Sequence, residues 1–390
     1  ERMVDRAARE LEIDPLELRR INFIKKDNFP YRSSTGETID VGDFDRVLSA
    51  AEISADIAGF ERRKKESEAK GMLRGLGLCY YIESILGDPS EEAKVVFEEG
   101  LDVKIFVGTQ SNGQGHETVF AQFLSDQIGV PIEKITVVQG DTDLIPNGGG
   151  TGGSRSVTVQ NNATLATVEK VIQSFSQYLS EKLEVSLENI EFDDISFRIN
   201  GSNYSPNVLE VAKMAFDDHR FDLLTHSAKA TLDARSFPNG AHFAEVEVDP
   251  ETGFVQVVRY SVVDDFGNLI NPMLAQGQVH GGVAQGIGQA LYEHVVFDQE
   301  GQLLTATFMD YGMPRAQDLP YYKFETECVP STANIMGMKG CGEAGTVGAL
   351  AAVANAVQDA LWDIGIQQVD MPFTSEKIWS MINLGNLAAE

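Results

Sequence analysis

The sequence predicts an α+β fold built from two similar mixed subdomains. Two stretches of the chain repeat one order of elements, in which β-branched and aromatic runs precede a glycine-bearing loop and then a helix. The chain has 390 residues, 43% of them hydrophobic, which is enough for two or three packed units. We therefore divide it into an N-terminal segment, residues 1–70, and two subdomains, residues 71–225 and 226–390.

The N-terminal segment is predicted to be helical and to continue an upstream domain that this sequence lacks. Asp14 and Pro15 mark a joint between two helices, because Asp is a favoured N-cap and Pro suits the first helical position. The charged run at 61–70 is typical of a solvated helix. Because the sequence opens at Glu1 within an amphipathic pattern, we expect a piece of a longer protein.

Each subdomain is predicted to combine strands with long helices. The first has strands at 75–82, 93–97 and 101–107, a helix at 116–128, a strand at 135–139 and a helix at 157–184. The second has strands at 228–232, 242–248 and 255–263, a helix at 275–294, strands at 303–308 and 324–328, and a helix after residue 343. The helix at 275–294 carries several glycines. Because each costs up to about 1 kcal/mol relative to alanine, we expect close packing against backbone or a ligand.

The composition excludes several classes of protein. Lys and Arg total 31 against 59 for Asp and Glu, and a net charge of −28 argues against nucleic acid or an anionic membrane as partner. It leaves room for a buried anionic cofactor held by local donors. Three cysteines without CxxC spacing predict no disulfide framework, zinc site or iron–sulfur site. No apolar run is long enough to span a bilayer, and we expect a reducing, cytoplasmic location.

Glu343 is the candidate catalytic residue. It is the only acidic side chain between Met338 and Gly348, it stands among glycines, and an apolar helical pattern follows it. The N-terminus of a helix favours an ionised carboxylate, which can act as a general base. The alternative is that Glu343 only complements the helix dipole and that the glycines serve a tight turn.

Three glycine-bearing loops each end at a predicted helix, namely residues 113–115, 148–156 and 340–345. Helix N-termini and free backbone amides bind phosphate-like anions, so together the loops could hold a pyrophosphate. The second loop adds donors from Thr151, Ser154, Arg155 and Ser156. Neither the P-loop nor the GxGxxG dinucleotide motif is present, and each loop alone is more often an ordinary turn.

Other polar residues near these loops are less specific. Gln114 and Gln285 could donate and accept hydrogen bonds within glycine-rich surroundings, or point to water. His116 and His280 have no second His or Cys at ligand spacing, which favours structural roles over metal binding. Cys341 has no adjacent His, so an inert, packed thiol is favoured over a reactive one.

Four motifs, in this order along the chain, resemble one known family. They are Gly113-Gln114-Gly115-His116-Glu117, Thr151-Gly152-Gly153-Ser154-Arg155-Ser156, Gly277-Gln278-Val279 with Gly281-Gly282-Val283-Ala284-Gln285-Gly286, and Lys339-Gly340-Cys341-Gly342-Glu343. The family is that of the molybdenum-binding large subunits of xanthine dehydrogenase, aldehyde oxidase and aerobic carbon monoxide dehydrogenase. The resemblance covers nearly the whole chain and corresponds to the C-terminal part of such a subunit.

The resemblance implies a molybdopterin cofactor, usually the cytosine dinucleotide form in bacteria. Gly113, Gln114 and Gly115 would approach the pterin and metal end. The residues implied at the pterin and pyrophosphate are Thr151, Gly152, Gly153, Ser154, Arg155 and Ser156. Gln285 would lie in the surroundings of the cofactor. The residues implied to line the metal centre, without ligating the metal, are Lys339, Gly340, Cys341 and Gly342. Glu343 matches the glutamate that takes a proton from a metal-bound hydroxyl.

The resemblance also implies partners. Electrons would leave through iron–sulfur and flavin partner subunits, and the missing N-terminal half of the large subunit would complete the site. We expect this piece alone to bind cofactor weakly or not at all. The family includes oxidisers of aldehydes, N-heterocycles and carbon monoxide. The alternative function is a non-catalytic assembly or binding module of the same fold. A phosphate-binding hydrolase is disfavoured because the sequence offers no Ser/His/Asp arrangement.

Overall fold

Two four-stranded sheets, each covered by helices, organise the computed structural model, which describes residues 1–384. The helices are α1 (Arg2–Glu10), α2 (Pro15–Asn22), α3 (Phe44–Ala55), α4 (Phe60–Glu68), α5 (His116–Ile128), α6 (Ser156–Leu183), α7 (Val208–Asp217), α8 (Pro272–Leu291), α9 (Ala344–Trp362) and α10 (Ser375–Leu384). The strands are β1 (Tyr31–Arg32), β2 (Thr38–Ile39), β3 (Leu73–Ile82), β4 (Ser90–Phe97), β5 (Val103–Val107), β6 (Ile135–Val138), β7 (Ile190–Phe192), β8 (Phe197–Ile199), β9 (Thr225–Thr231), β10 (Asn239–Val248), β11 (Val255–Asp265) and β12 (Tyr322–Thr326). The α+β class is confirmed.

The first sheet has the order β6-β5-β4-β9. In β4 and β5 every second side chain is buried, as expected for strands with one face on a core. Helices α5 and α6 cover that face, where Phe120 and Phe175 pack with Ile105. The parallel pair β5–β6 is connected through α5, while the pairs β4–β5 and β4–β9 are antiparallel.

The second sheet has the order β12-β11-β10-β3 and is covered on both faces, which explains why nearly all of β10 is buried. Helix α9 crosses β3 and β10 on one face, and α3 packs on the other. Glycines let α9 approach closely: a Cβ on Gly75 or Gly77 would lie 2.0 Å from the carbonyl oxygen of Ala356 or Ala352. Helix α8 packs on α9 in turn.

The strand pairing crosses the predicted boundary between the two subdomains, at residues 225 and 226, in two places. Strand β3, assigned by sequence to residues 71–225, pairs with β10 of the second sheet, and β9 begins at Thr225 but pairs with β4 of the first. The first sheet lies entirely within residues 83–238, an insertion between β3 and β10 whose ends meet where Ile82 pairs with Asn239. Alternating apolar residues identify a strand but not its partner, so the sequence-based division follows chain order where the sheets do not.

The other local predictions have mixed outcomes. The joint between α1 and α2 is confirmed, with the Asp14 carboxylate accepting hydrogen bonds from Leu16 N and Glu17 N. The predicted strand at 303–308 is wrong: only an isolated bridge between Leu303 and Phe297 forms there. In residues 1–384 no helix combines the length and apolar character needed to cross a membrane.

The glycines of α8 lie on two faces of the helix, and the predicted close packing against backbone holds for one of them. A Cβ on Gly282 would lie 2.8 Å from Thr346 N, and one on Gly286 would lie 2.5 Å from the Ala349 Cβ, so this face seats α9. Gly277 and Gly281 have nothing within 4 Å of the Cβ position, and both face open space.

Candidate functional site

The three glycine-bearing loops come together around one cavity of about 710 Å³. The loop before α5, the loop before α6, the first turns of α8 and the loop before α9 line it. The volume falls in the range of small-molecule and cofactor sites. Within the described part of the chain, no group of three His, Cys, Asp or Glu side chains could hold a metal ion.

Most of the predicted site residues line this cavity. Those that do are Gly113, Gln114, Thr151, Gly152, Gly153, Ser154, Ser156, Lys339, Gly340, Cys341, Gly342 and Glu343. Three do not: Gly115, Arg155 and Gln285. Gly115 packs against the Leu274 side chain, Arg155 forms a buried ion pair, and Gln285 lies too far along α8 to reach the cavity.

The loop before α5 is fixed by its own side chains. The Gln114 side-chain oxygen accepts a hydrogen bond from Asn112 N, and Ser111 N donates to Gln139 at 2.9 Å. Gly115 adopts φ +84°, and a Cβ there would lie 2.8 Å from the Leu274 side chain, so Gly115 packs behind the cavity wall. Gly113 has a positive φ and nothing within 4 Å of its Cβ position, which leaves backbone open to a ligand.

Arg155 holds the loop before α6 from behind. Its buried guanidinium lies 2.7 Å from the buried Glu91 carboxylate. It also donates to the carbonyl oxygens of Asp88, Ser90 and Gly150 at 2.7 to 2.9 Å. These groups occupy four of the five guanidinium N–H donors and place Arg155 behind the loop, while its predicted contact with a pyrophosphate stays a prediction. Sequence could place Arg155 in a donor-rich loop but could not show Glu91 beside it.

Lys339 is likewise turned away from the cavity. Its ammonium lies 2.5 Å from the Asp265 carboxylate, and both side chains are fully buried. The backbone N–H of Lys339 donates to the Phe266 carbonyl oxygen at 2.9 Å, which ties the loop to the end of β11. Lys339 therefore lines the cavity with its backbone, and its charge is neutralised within the protein.

Glu343 stands at the position expected for it, as the N-cap residue of α9, and it is exposed to the cavity. Its Oε2 accepts a hydrogen bond from the Ser154 hydroxyl at 2.9 Å, and its backbone N–H donates to the Ser154 hydroxyl oxygen at 3.1 Å. Ser154 thus joins the loop before α6 to the loop before α9. Glycine permits this contact, since a Cβ on Gly340 would lie 2.0 Å from the Ser154 carbonyl oxygen.

Two candidate functional residues, Glu83 and Gln278, were not predicted from the sequence. Glu83, directly after β3, lies with its Oε1 2.6 Å from the Ser154 hydroxyl. Burial, with the nearby Glu343 charge, raises the pKa of Glu83 to about 7. Gln278 donates to the Gly342 carbonyl oxygen at 2.7 Å. Gln278 belongs to one of the four motifs and could have been chosen from the sequence. Glu83 lies 260 residues before Glu343, and nothing in the sequence indicates that the two are close in space.

The choice of Gln285 shows how helix geometry limits such predictions. Gln278 and Gln285 lie seven residues apart, which puts them on one side of α8. Only Gln278, nearer the N-terminus, reaches the cavity; Gln285 is exposed and accepts a hydrogen bond from Thr346 at 3.1 Å. Cys341 fits the packed-thiol interpretation, since burial raises its pKa to about 12.

The chemistry of the cavity fits an anionic, ring-bearing ligand. Lining donors are uncharged: the hydroxyls of Thr151, Ser154 and Ser156 and the amides of Gln114 and Gln278. Backbone near Gly113, Gly152, Gly277 and Gly281 is open, because no atom lies within 4 Å of their Cβ positions. Neutral donors and free backbone amides are the groups that hold phosphate esters at helix N-termini. A pterin bearing a phosphate or pyrophosphate meets these requirements.

Comparison with known proteins agrees with this chemistry. The family described as molybdopterin cofactor-binding domain matches residues 50–320. The chain belongs to this family. It is 32% identical to the carbon monoxide dehydrogenase large chain of Hydrogenophaga pseudoflava over 100% of this chain and 51% of that protein. It is 33% identical to the nicotine 6-hydroxylase large subunit of Paenarthrobacter nicotinovorans over 97% of this chain and 48% of that protein.

Solved structures show the same molybdopterin-binding fold. Quinoline 2-oxidoreductase from Pseudomonas putida 86 superimposes with a TM-score of 0.91 and 31% identity, covering 98% of this chain and 51% of that chain. The chain therefore spans about half the length of the relatives it matches. The family predicted from the four motifs is confirmed.

Proposed function

We propose that this chain is the C-terminal cofactor-binding part of a molybdenum hydroxylase or carbon monoxide dehydrogenase-like oxidoreductase. The observation that supports this most directly is the convergence of three distant glycine loops and Glu343 on one cavity. The chemistry of the relatives, which are named for the oxidation of carbon monoxide, nicotine or quinoline, supports the reaction class. The convergence is specific, because the third loop lies more than 180 residues in sequence from the other two.

The cofactor in this proposal is molybdopterin with molybdenum, in the cytosine dinucleotide form. Gln114 and Gln278 would approach the pterin, and Thr151 and Ser156 would donate to it and to the pyrophosphate. Ser154 would line the site while its hydroxyl donates to Glu343. Gly113 and Gly152 provide open backbone for that approach. When bound, the cofactor would supply an activated oxygen and accept two electrons from substrate. Uncharged donors suit this task, because they bind an anion without holding it in a rigid ion pair.

Glu343 is the general base of this proposal. One of its oxygens, Oε2, is held by Ser154, while the exposed carboxylate faces the cavity. Glu343 stands at the N-terminus of α9, and an ionised carboxylate is the form that accepts a proton. Fixing one oxygen orients the other toward the reacting atoms, and this lowers the entropic cost of proton transfer.

The proposed partners follow from the cysteine content. The three cysteines are scattered along the sequence and burial raises the pKa of each one, so iron–sulfur and flavin groups would lie on partner subunits. The remainder of the large subunit would complete the substrate pocket. We place the assembled enzyme in the cytoplasm, with an aldehyde, an N-heterocycle or carbon monoxide as substrate.

The test is Glu343→Gln in the complete natural complex. Dye reduction would be measured with carbon monoxide, benzaldehyde and quinoline as probe substrates, and molybdenum by elemental analysis. We expect turnover to fall at least about 100-fold with molybdenum content unchanged, because amide replaces carboxylate without loss of shape. Glu99→Gln, in the exposed turn after β4, is the matched control. Normal turnover by Glu343→Gln, or loss of subunit assembly, would contradict the proposal.

A further inference from the structure

The Ser154 hydroxyl lies between the carboxyl groups of Glu83 and Glu343. Glu83 Oε1 is 2.6 Å away and Glu343 Oε2 is 2.9 Å away. Ser154 is held there by a left-handed backbone conformation, with φ +56°, that L-residues seldom adopt. Such conformations concentrate at functional sites, where surrounding contacts maintain them.

The Glu83 and Glu343 carboxyl groups cannot both be ionised at the same time while these contacts persist. A serine hydroxyl has one proton to donate and two lone pairs. One lone pair accepts the Glu343 backbone N–H at 3.1 Å, and the proton serves one carboxylate. The other carboxyl group must then bring its own proton, because two oxygens at this distance without a hydrogen between them repel each other. The arrangement therefore holds one proton shared over two acids.

Glu83 is the better candidate for the protonated acid. It is half-buried, and its second oxygen, Oε2, is buried without a partner among residues 1–384. Burial disfavours the charged form and raises the pKa of Glu83. Glu343, by contrast, is exposed and stands at the N-terminus of α9.

The groups around Glu83 supply negative charge and no free cation. The carboxylate of Glu343 faces it from the N-cap of α9 and that of Asp264 from β11, whereas the nearby Cys341 thiol and Tyr81 hydroxyl are uncharged. The basic side chains of the adjoining loops are engaged elsewhere in the described structure, Arg155 with Glu91 and Lys339 with Asp265. An ionised Glu83 would thus meet like charge from Glu343 and Asp264.

We propose that Glu83 is a positioning residue that carries a proton and, through the Ser154 hydroxyl, keeps Glu343 ionised and correctly oriented. This inference rests on the proposed role of Glu343 as base. Protonated Glu83 donates to Ser154, and Ser154 donates to Glu343 Oε2, which leaves Glu343 Oε1 to take a proton in the cavity. When Glu83 loses its proton, the Ser154 hydroxyl turns to this nearer carboxylate, and Glu343 loses its donor.

The experiment uses the complete natural complex and its Glu83→Gln variant. The C=O stretching band of a protonated carboxyl group is followed by infrared spectroscopy across neutral pH, a measurement that needs no substrate. We expect one such band in the unsubstituted complex, lost with a midpoint near pH 7, and its absence in Glu83→Gln. Glu99→Gln, from an exposed turn, should leave the band unchanged.

The pH profile of turnover supplies the second measurement. In the unsubstituted complex we expect kcat to fall about fivefold from pH 7 to pH 8 as Glu83 ionises. Glu83→Gln should abolish this fall, because its amide donates to Ser154 at every pH. Ser154→Ala, which severs the link without changing either acid, should keep the infrared band but lower turnover at all pH values.

The outcomes separate this inference from the proposed function. An infrared band that survives in Glu83→Gln, or its absence from the unsubstituted complex at about pH 6, overturns the role of Glu83. If Glu343→Gln remains active, the proposed base is wrong, while the infrared result still decides where the proton resides. If Glu343→Gln is inactive but Glu83→Gln has an unaltered pH profile, only the inference about Glu83 fails.

Discussion

Two buried cations, Arg155 and Lys339, hold facing walls of the same cavity, yet they do so differently. Each pairs with a buried carboxylate, Glu91 and Asp265 respectively. Arg155 also binds three backbone carbonyls, whereas Lys339 has Asp265 as its single side-chain hydrogen-bond partner in the described structure. In the first wall the cation is thus the centre of the network.

The carboxylates show the opposite asymmetry. Glu91 accepts one further hydrogen bond, from Gly149 N, and its Oε2 has no partner among residues 1–384. Asp265 accepts hydrogen bonds from Gly267 N, Val329 N and the Asn239 side chain in addition to Lys339. In the second wall the anion is the centre. The free-energy cost of breaking an ion pair therefore depends on which partner keeps other contacts.

Replacing Arg155 by Met should have the largest effect on stability. Glu91 would remain buried with one donor and three carbonyls would lose theirs, so we expect a loss of about 3–5 kcal/mol in the free energy of unfolding. Guanidinium denaturation of the purified 390-residue chain measures this. Arg198→Met, which breaks the exposed pair with Asp193, is the control and should cost less than about 1 kcal/mol. Equal losses in the two variants would refute the assignment of Arg155 as the centre of its wall.

Replacing Lys339 by Met should be milder, at about 2–3 kcal/mol, because Asp265 keeps three other donors. The same denaturation experiment compares both variants directly. Asp265→Leu provides the reciprocal test and should cost more than Lys339→Met. If Lys339→Met proves more damaging than Arg155→Met, the proposed difference between the walls is wrong.

Gly340→Ala tests the contact between the walls. The new Cβ would lie 2.0 Å from the Ser154 carbonyl oxygen, so we expect a loss of about 1–3 kcal/mol as the loops separate. Gly152→Ala is a matched control in the same cavity, because nothing lies within 4 Å of its Cβ position. Thermal denaturation of both variants decides the matter: similar melting temperatures would mean that the close contact is not required.

The smallest expected effect is a pH dependence at the place where the walls meet. Folding raises the pKa of Glu83 from 4.5 to about 7, so the folded state binds more protons than the unfolded state between these values. Stability should therefore fall as pH rises through this window, by on the order of 1–2 kcal/mol for a half-buried group. The difference in denaturation midpoint between the unsubstituted chain and Glu83→Gln, measured across the window, reports it. A constant difference would contradict the assignment.

Sequence periodicity predicted elements well and tertiary placement poorly. The helix predicted at 116–128 has those bounds in α5, because its apolar positions recur at helical spacing and glycines stand at both ends. Glu343 was placed correctly before α9 for the same local reason. Strand β3 was grouped with the first subdomain, whereas it pairs with β10 of the second sheet, since only contact with β10 and α9 selects its position.

The candidate site shows the same limit. Glycine, hydroxyl and glutamine residues near a motif line the cavity because the motif itself forms the wall. Arg155 and Lys339 carry the charges that an anion would be expected to attract, yet folding places a carboxylate beside each one. Glu83 lies outside every motif, and it joins the site only because the insertion begins there.

That insertion has a consequence for how the chain acquires its structure. Strand β3 emerges early during synthesis, but its partner β10 follows only after residues 83–238. The inserted sheet contains its own core and pairs only within itself, so it can close before the second sheet is complete. Until then β3 presents an unpaired edge. We expect the ribosome-bound intermediate to be most prone to aggregation in this interval, which ends when Ile82 meets Asn239.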